Sequence, residues 1–202
     1  FGPGRTVEMG GDPYRGLAVV DLDGDGHLDL ATPNERDAGV RLGRGDGSFG
    51  ERRNVDVSPL APFDLTAGDF DGDGRQDLGL AAGEGRSEAT VLLGDGAGGF
   101  RPAPGGPYAV GSGAKSAAAA DLDGDGAADL VVASWRSREL TIVFGGEGLG
   151  SGDAPRSHRV QVGENPWSVV TADFDGDGRP DIATADYGDG TLTILLNRTG
   201  TP

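Results

Sequence analysis

A nonapeptide rich in aspartate recurs four times along the 202-residue chain and determines how the chain can fold. The first copy reads Asp21-Leu-Asp-Gly-Asp-Gly-His-Leu-Asp29, and the others occupy 69–77, 121–129 and 173–181. Successive copies start 48, 52 and 52 residues apart. Repeats of this length are supersecondary units that bury their apolar faces against their neighbours. We therefore interpret residues 1–202 as a single domain of four repeats, with metal-loop repeats starting near 21, 69, 121 and 173.

Short apolar runs at fixed places around each nonapeptide predict an all-β fold. One run precedes the nonapeptide and a second follows it; in the first repeat these are Leu17–Val20 and Leu28–Ala31. A third run, such as Val40–Leu42, follows after a turn, and weaker runs such as Arg52–Val57 and His158–Val162 come next. Each repeat thus contains four short strands separated by turn residues.

Composition supports this interpretation and excludes several classes of function. The 39 glycines and 12 prolines fit the many turns of a short-stranded fold. The absence of cysteine excludes disulfides, a thiol nucleophile and a cysteine-ligated metal. No apolar run is long enough to predict a membrane span. The net charge of −16 disfavours nucleic acid or an anionic membrane surface as partner and favours cations.

Each nonapeptide places carboxylates at positions 1, 3, 5 and 9 and glycine at positions 4 and 6. Calcium prefers six to eight oxygen ligands from carboxylates and carbonyls, so this spacing predicts one calcium site per repeat. Position 7 varies freely, which indicates its backbone carbonyl as a further ligand. The candidate ligands are Asp21, Asp23, Asp25, His27 and Asp29; Asp69, Asp71, Asp73, Arg75 and Asp77; Asp121, Asp123, Asp125, Ala127 and Asp129; and Asp173, Asp175, Asp177, Arg179 and Asp181.

Two helix-flanked calcium motifs share the opening of this nonapeptide. An EF-hand loop requires a bidentate glutamate at position 12, and dockerin-type loops also place an acidic ligand there. Position 12 of the four loops is Thr32, Leu80, Val132 and Thr184. Both motifs are therefore excluded, in agreement with the strands predicted on either side.

With these residues in view, the sequence resembles the FG-GAP or VCBS repeats of integrin-α-like β-propellers. The resemblance rests on phrases such as Val19-Val-Asp-Leu-Asp-Gly-Asp-Gly26 and Thr90-Val-Leu-Leu-Gly-Asp-Gly-Ala-Gly-Gly-Phe100. It implies a small β-propeller in which the Asp-rich loop joins the first two strands of each blade and binds calcium. Integrin-like propellers usually have seven blades, whereas this chain supplies four.

The ends of the chain suggest how four blades could close into a ring. The last repeat stops after its third strand, and the segment from Phe1 to Met9 aligns with the fourth-strand segments that start at Phe49 and Phe100. We therefore expect four blades of four antiparallel strands, with the N-terminal strand closing the last blade. Two alternatives stay open: the chain is a fragment of a longer array, or two chains complete one larger ring.

The face opposite the calcium loops is the expected ligand face, since loops from every blade converge there. Exposed aromatic groups beside charged groups suit a glycan, a protein or another small ligand. The alternative is that these side chains fill the central channel or pack between blades. The candidate residues are Tyr14, Arg15, Phe63, Asp64, Lys115, Trp135, Trp167 and Tyr187.

Three functions remain open from the sequence. The first is an extracellular or cell-surface module, secreted by a bacterium, that is stabilised by about four structural calcium ions and binds a glycan or protein. The second is an enzyme, such as a lyase, hydrolase or cyclase, with its active site in the central funnel. The third is a structural part of a larger propeller. No acid–base pair is identifiable in the sequence, which favours binding over catalysis.

Overall fold

The computed structural model describes residues 2–11, 16–58, 60–83, 85–146, 148–149 and 155–199. These residues form four antiparallel sheets of three to five strands, one sheet for each repeat. Sequence order and spatial order coincide within each sheet, apart from one short extra strand in the second. The arrangement is that of a small four-blade β-propeller, as the repeat pattern predicted.

The first two blades contain the strands that flank the first two Asp-rich loops. Blade 1 consists of β1 (Ala18–Val20), β2 (Asp29–Pro33), β3 (Asp37–Arg41) and β4 (Arg53–Asp56). Blade 2 consists of β5 (Pro62–Gly68), β6 (Asp77–Ala82), β7 (Glu88–Gly94), β8 (Phe100–Pro102) and β9 (Tyr108–Ala109), which also pairs with β7.

The third and fourth blades repeat the pattern. Blade 3 consists of β10 (Ala114–Ala120), β11 (Asp129–Ser134), β12 (Glu139–Val143) and β13 (Ser157–Gln161). Blade 4 consists of β14 (Pro166–Ala172), β15 (Asp181–Asp186) and β16 (Thr191–Leu195).

The Asp-rich loop occupies the same structural position in every blade. It connects the first strand to the second, and its ninth residue is the first residue of the second strand. In blade 1, Val20 pairs with Asp29, and the other blades keep this register with the pairs Gly68–Asp77, Ala120–Asp129 and Ala172–Asp181. The predicted placement of the loops between strands is therefore confirmed.

The core consists of three apolar clusters, each lying between two consecutive blades. Leu22 and Val40 of blade 1 pack with Leu65 and Leu78 of blade 2. Equivalent clusters join blade 2 to blade 3, around Phe70, and blade 3 to blade 4. A blade therefore buries its apolar side chains against its neighbours in the array.

The structure corrects one expectation, that the N-terminal strand completes blade 4. Blade 4 has three strands, and the described N-terminal residues, 2–11, include no strand. The Glu8 carbonyl instead accepts a hydrogen bond from Arg41 Nε of blade 1 at 2.6 Å. A Cβ on Gly39 would lie 2.8 Å from the Met9 carbonyl, so this close approach to β3 depends on glycine. The segment therefore lies against the first blade.

Candidate metal centres and the opposite face

The first aspartate of each loop organises the turn. Asp21 accepts the backbone N–H of Gly24 on one carboxylate oxygen at 2.7 Å and that of Gly26 on the other at 2.8 Å. Both glycines have positive φ values, 77° and 86°, which residues with a Cβ rarely adopt. The hydrogen bond from Gly26 lowers the pKa of Asp21, so its carboxylate is held in the charged form. The other three loops repeat these contacts.

The ninth aspartate is fully buried and connects three parts of the blade. Asp29 accepts the N–H of Leu22 at 2.7 Å on one oxygen and the N–H of Gly43, just after the third strand, at 2.7 Å on the other. Equivalent pairs of hydrogen bonds hold Asp77, Asp129 and Asp181. Each such carboxylate therefore links the loop and the second strand to the end of the third.

Burial changes how these carboxylates ionise when no cation is bound. Removal from water raises the pKa of Asp77 and of Asp129 to about 6, because the charged form is poorly solvated there. The pKa of Asp181 is instead lowered, chiefly by the hydrogen bond from the Asn197 N–H. In blades 2 and 3 the buried carboxylate is thus close to losing its charge.

The third aspartate completes a triad in every loop. Ligand atoms of the first, third and ninth aspartates lie within 4.8 Å of one another in all four blades. The Oδ1 atom of Asp123 is buried and accepts no hydrogen bond from the described residues. Burial of such an oxygen costs free energy unless it binds a proton or a cation. Each repeat therefore presents three convergent carboxylates that could hold a metal ion.

The fifth aspartate lies outside these triads in the described structure. Its Oδ1 accepts the N–H of the seventh residue, as in the 2.8 Å bond from His27 to Asp25. In loops 2 and 4 the other oxygen pairs with an arginine at position 7, Arg75 with Asp73 and Arg179 with Asp177. The proposed ligand roles of the position-5 carboxylates and position-7 carbonyls remain predictions.

Cationic partners differ among the four loops. In loop 3, Arg156 pairs with Asp123 and stacks over Phe144, 3.8 Å from its ring centroid. In loop 4, Arg198 adds a second cation, 3.2 Å from Asp175. Among the described residues no arginine pairs with the aspartates of loop 1. The four sites share a geometry and differ in net charge.

Three of the predicted ligand-face residues meet at the opposite ends of the strands. The pairing of β5, β10 and β14 shifts register at Phe63, Lys115 and Trp167, so each of these residues is a bulge. A bulge redirects its side chain. Lys115 Nζ lies 3.9 Å from the Phe63 ring centroid and 4.4 Å from that of Trp167. Since Lys115 is 4% exposed, this part of the cluster packs between blades.

Trp135, Trp167 and Tyr187 form a second, more open cluster at the same end. The Trp135 and Trp167 centroids are 5.1 Å apart in an edge-to-face arrangement, and Tyr187 lies 6.2 Å and 6.0 Å from them. Tyr187 is 73% exposed. The ring cluster is therefore a surface feature of blades 3 and 4.

Asp64 is the other predicted ligand-face residue that the structure describes. Asp64 accepts the N–H of Ala117 at 3.0 Å and so joins blade 2 to blade 3. Tyr14 and Arg15 lie outside the described residues.

A cavity of about 460 Å³ lies between blades 1 and 2 at the ligand-face end of the strands, and it was not predicted from the sequence. Phe63 lines it together with Glu35, Arg36 and Arg86. Glu35, Arg36 and Arg86 lie in the loops between second and third strands, whereas Phe63 belongs to β5. The residue types in these loops do not indicate that the loops form a concave surface.

The fold and the loops define a β-propeller with one Asp-rich loop in each blade. The model of the FG-GAP-like repeat matches residues 21–80, 80–132 and 130–184. The chain therefore belongs to the FG-GAP-like repeat family, as the resemblance predicted. No curated protein matches the sequence.

Solved structures with a similar fold are longer than this chain. BBS1N, from a crystal of its complex with ARL6DN soaked with lead, has a TM-score of 0.57 and 18% identity over 95% of this chain and 59% of its own. The mercury-soaked crystal of the same complex gives a TM-score of 0.58 and 9% identity over 91% of this chain and 51% of its own.

A second protein of this fold is an Agrocybe aegerita lectin specific for non-reducing terminal N-acetylglucosamine. Its TM-score is 0.53, at 20% identity over 92% of this chain and 50% of its own. The chain thus spans about half to three fifths of the length of these solved proteins.

The part of the chain that the structure describes contains no helix long and apolar enough to cross a membrane. This agrees with the absence of a predicted span.

The raised pKa of Asp77 predicts a pH effect on the metal-free protein. The folded state holds this proton up to pH about 6, whereas an ordinary aspartate releases it near 3.8. Between these values folding takes up a proton, so this group makes the metal-free protein less stable as pH rises. The melting temperature of wild type minus that of Asp77→Asn should be larger at about pH 4.5 than at about pH 7.

Asp95→Asn is the control, because its effect on the melting temperature should change with pH in the opposite direction. Hydrogen bonds, first that from Ala97, lower the pKa of Asp95, so its contribution to stability is lost as pH falls. Calorimetry after exhaustive dialysis against metal-free buffer measures both differences. Equal differences at the two pH values for Asp77→Asn would contradict the assignment.

Proposed function

We propose that this protein is a calcium-stabilised, extracellular module that binds a glycan through the ring cluster of Trp135, Trp167 and Tyr187. The observation that carries the proposal is this cluster, with Tyr187 exposed and the two tryptophans half-buried, at the strand ends opposite the Asp-rich loops. The two ends have separate roles: a metal ion stabilises each blade at one end, and the other end binds the ligand.

The donor set of the loops favours calcium over other cations. All the convergent groups are carboxylates, which suit hard cations, and no histidine or cysteine belongs to the described triads. Calcium binds oxygen at about 2.3–2.6 Å, so ligands on opposite sides of one ion lie about 5 Å apart. Triad oxygens within 4.8 Å of one another can all reach a single calcium ion. Magnesium demands a smaller and stricter octahedral site.

Bound calcium would supply positive charge where the loops concentrate negative charge. In this proposal the first aspartate holds the turn, the third approaches the ion from the loop, and the ninth connects the ion to the second and third strands. The role of the ion is structural, because the triads lie at the opposite ends of the strands from the ring cluster. Calcium at the concentrations found outside cells would keep such sites filled.

The ring cluster has the composition of a carbohydrate site. Aromatic faces pack against the apolar faces of sugar rings, and the Tyr hydroxyl and Trp N–H offer hydrogen bonds. Charged groups follow or precede the three rings by two or three residues in the sequence: Arg138 Nη1 lies 2.9 Å from Glu164 Oε1, and Arg138 Nη2 lies 3.9 Å from Asp189 Oδ2. The lectin of similar fold, which recognises terminal N-acetylglucosamine, supports the choice of ligand class.

Removal of calcium should lower the thermal stability of the protein substantially. An ion that binds only the folded state stabilises it by about 2.7 kcal/mol per site at a hundredfold excess over Kd. Calorimetry of metal-free protein, with and without calcium or magnesium, measures the effect. The proposal predicts a large upward shift with calcium and a smaller one with magnesium. An unchanged melting temperature would refute the calcium assignment.

A single carboxylate should separate metal binding from folding. From the residues that the structure describes, Asp23 accepts only a long, 3.3 Å hydrogen bond from the Asp25 N–H, and burial raises its pKa. Asp23→Asn should therefore leave the metal-free protein at least as stable as wild type near neutral pH and weaken calcium binding at one site of four by about tenfold or more.

The matched control is Asp46→Asn, in the Gly45-Asp46-Gly47 turn outside the metal loops. Isothermal titration calorimetry should give this control the wild-type affinity and stoichiometry. Identical titrations for Asp23→Asn and wild type would exclude loop 1 as a calcium site.

Substitution of Tyr187 tests the glycan site directly. Because its ring is exposed, Tyr187→Ala should leave folding intact and weaken binding of an array-selected glycan by about tenfold, the value of one aromatic contact. Tyr187→Phe keeps the ring and should bind nearly as well as wild type. Failure of the wild type to bind any glycan, or equal binding by Tyr187→Ala, would reject the glycan proposal and leave the calcium proposal standing.

A further inference from the structure

The ring cluster of blades 3 and 4 occupies fixed positions of the repeat. Trp167 is a bulge residue six residues before the Asp-rich loop of blade 4. Trp135 and Tyr187 are the fifteenth residues counted from the first aspartate of the loop, in blades 3 and 4 respectively. A bulge residue is thus flanked by one ring from the preceding blade and one from its own blade, at centroid distances of 5.1 Å and 6.0 Å.

The same positions around blade 2 meet in the cavity between blades 1 and 2. The bulge residue there is Phe63, and the fifteenth residues of the first two repeats are Glu35 and Gly83. All three line the cavity. Where Trp167 has two aromatic neighbours, Phe63 therefore has a glutamate and a glycine, and the space beside its ring is open to a ligand.

The backbone around Gly83 is the same as in the ring-bearing blade 4. The Gly83 N–H donates to the Ala61 carbonyl at 2.9 Å, and the Tyr187 N–H donates to the equivalent Asn165 carbonyl at 3.1 Å. Ala61 and Asn165 also share a left-handed conformation, with φ values of 50° and 53°. The cavity therefore results from the missing side chain at Gly83 and not from a different course of the chain.

Two arginines give the cavity a positive wall. Arg36 and Arg86 line it from the loops that follow the second strands of blades 1 and 2. Among the described residues Arg36 has no ion-pair partner, and Arg86 Nη1 is 3.6 Å from Glu88 Oε2. Guanidinium groups bind carboxylates through two parallel N–H···O hydrogen bonds. In a chain whose net charge is −16, this wall favours an anionic ligand.

Two further charged groups lie at the cavity. Lys115 Nζ is 3.9 Å from the Phe63 ring centroid, which adds positive charge next to the ring. Glu35 is the one carboxylate among the described lining residues. It can accept a hydrogen bond from an N–H or hydroxyl of a ligand. The balance of charge around Phe63 is positive, with one hydrogen-bond acceptor beside it.

We propose that this cavity binds a small aromatic carboxylate. The ring of the ligand packs beside Phe63, as Trp135 and Tyr187 pack beside Trp167, and its carboxylate binds Arg36 and Arg86. The volume of about 460 Å³ lies in the usual range of small-molecule sites, about 300–1,000 Å³. This site is separate from the proposed glycan site, and its test does not depend on that site.

Isothermal titration calorimetry of the full chain with calcium tests the proposal, with indole-3-acetate as the probe. Wild type should bind this probe with a Kd of about 1 mM or tighter, as expected for a ligand of this size. The neutral indole-3-acetamide has the same ring and should bind about tenfold more weakly, because its hydrogen bonds to the arginines are no longer charge-assisted.

Paired substitutions of arginine test the carboxylate contact. Arg36→Gln/Arg86→Gln should weaken binding of indole-3-acetate by about tenfold or more and leave binding of indole-3-acetamide nearly unchanged. The matched control is Arg5→Gln/Arg101→Gln, which removes two charges from exposed positions outside the cavity. This control should bind both probes as wild type does.

Two further variants test where the ring binds. Gly83→Tyr gives blade 2 the side chain that blade 4 has at this position, so it should fill the cavity and abolish detectable binding of indole-3-acetate. Its melting temperature with calcium shows whether it is folded, and the arginine pair decides the question if it is not. Tyr187→Ala should bind the probe as wild type does, which separates this cavity from the ring cluster.

The proposal is overturned if wild type binds no indole-3-acetate up to about 10 mM, or binds indole-3-acetamide equally well. It is also overturned if Arg36→Gln/Arg86→Gln or folded Gly83→Tyr binds the probe like wild type. Equal loss of affinity in Arg5→Gln/Arg101→Gln, or loss of binding in Tyr187→Ala, would likewise refute it.

Discussion

The rest of the structure depends on the buried carboxylate that ends each Asp-rich loop. It accepts one N–H from the second residue of the loop and one from a residue at the end of the third strand, as Asp29 does from Leu22 and Gly43. One side chain thus fixes both the loop and the third strand, and without these donors a buried carboxylate would be costly. Two further aspartates face it across less than 4.8 Å. The carboxylate that joins the strands therefore also concentrates negative charge, which a cation would neutralise. The fold and the metal site thus depend on the same side chain.

Between blades, stability comes from nearest-neighbour packing. Each of the three apolar clusters involves two consecutive blades, which is the behaviour of a quasi-one-dimensional repeat array. Arrays of this kind usually end in blades or repeats with a polar outer face. Here Leu17 and Leu192 leave both ends apolar. Blades 1 and 4 thus expose side chains of the kind that the inner blades bury.

The sequence was sufficient to predict the blades and the loops because both follow local rules. Aspartate and glycine at alternating positions restrict the backbone of each loop, and a period near 50 residues with four short strands in each repeat favours a propeller. The path of the N-terminal segment could not be predicted, because it depends on Arg41 and on the space beside Gly39. The bulges that bring Phe63 and Lys115 together could also not be predicted from local sequence, because register shifts depend on pairing between strands.

Residues that differ from one repeat to the next give the four metal sites different local charges. At position 7, Arg75 and Arg179 neutralise the fifth aspartate of their loops, whereas loops 1 and 3 have His27 and Ala127 there. Ion pairs of this kind are partly exposed, so each shifts the local charge modestly.

Arg198 adds a second cation in loop 4, and two of the three triad carboxylates of that loop are exposed. Loop 1 has no arginine partner among the described residues, so no arginine of that part of the chain offsets the repulsion between its carboxylates. The repeat therefore determines the geometry of the four sites, and the residues around each site determine its affinity for a cation.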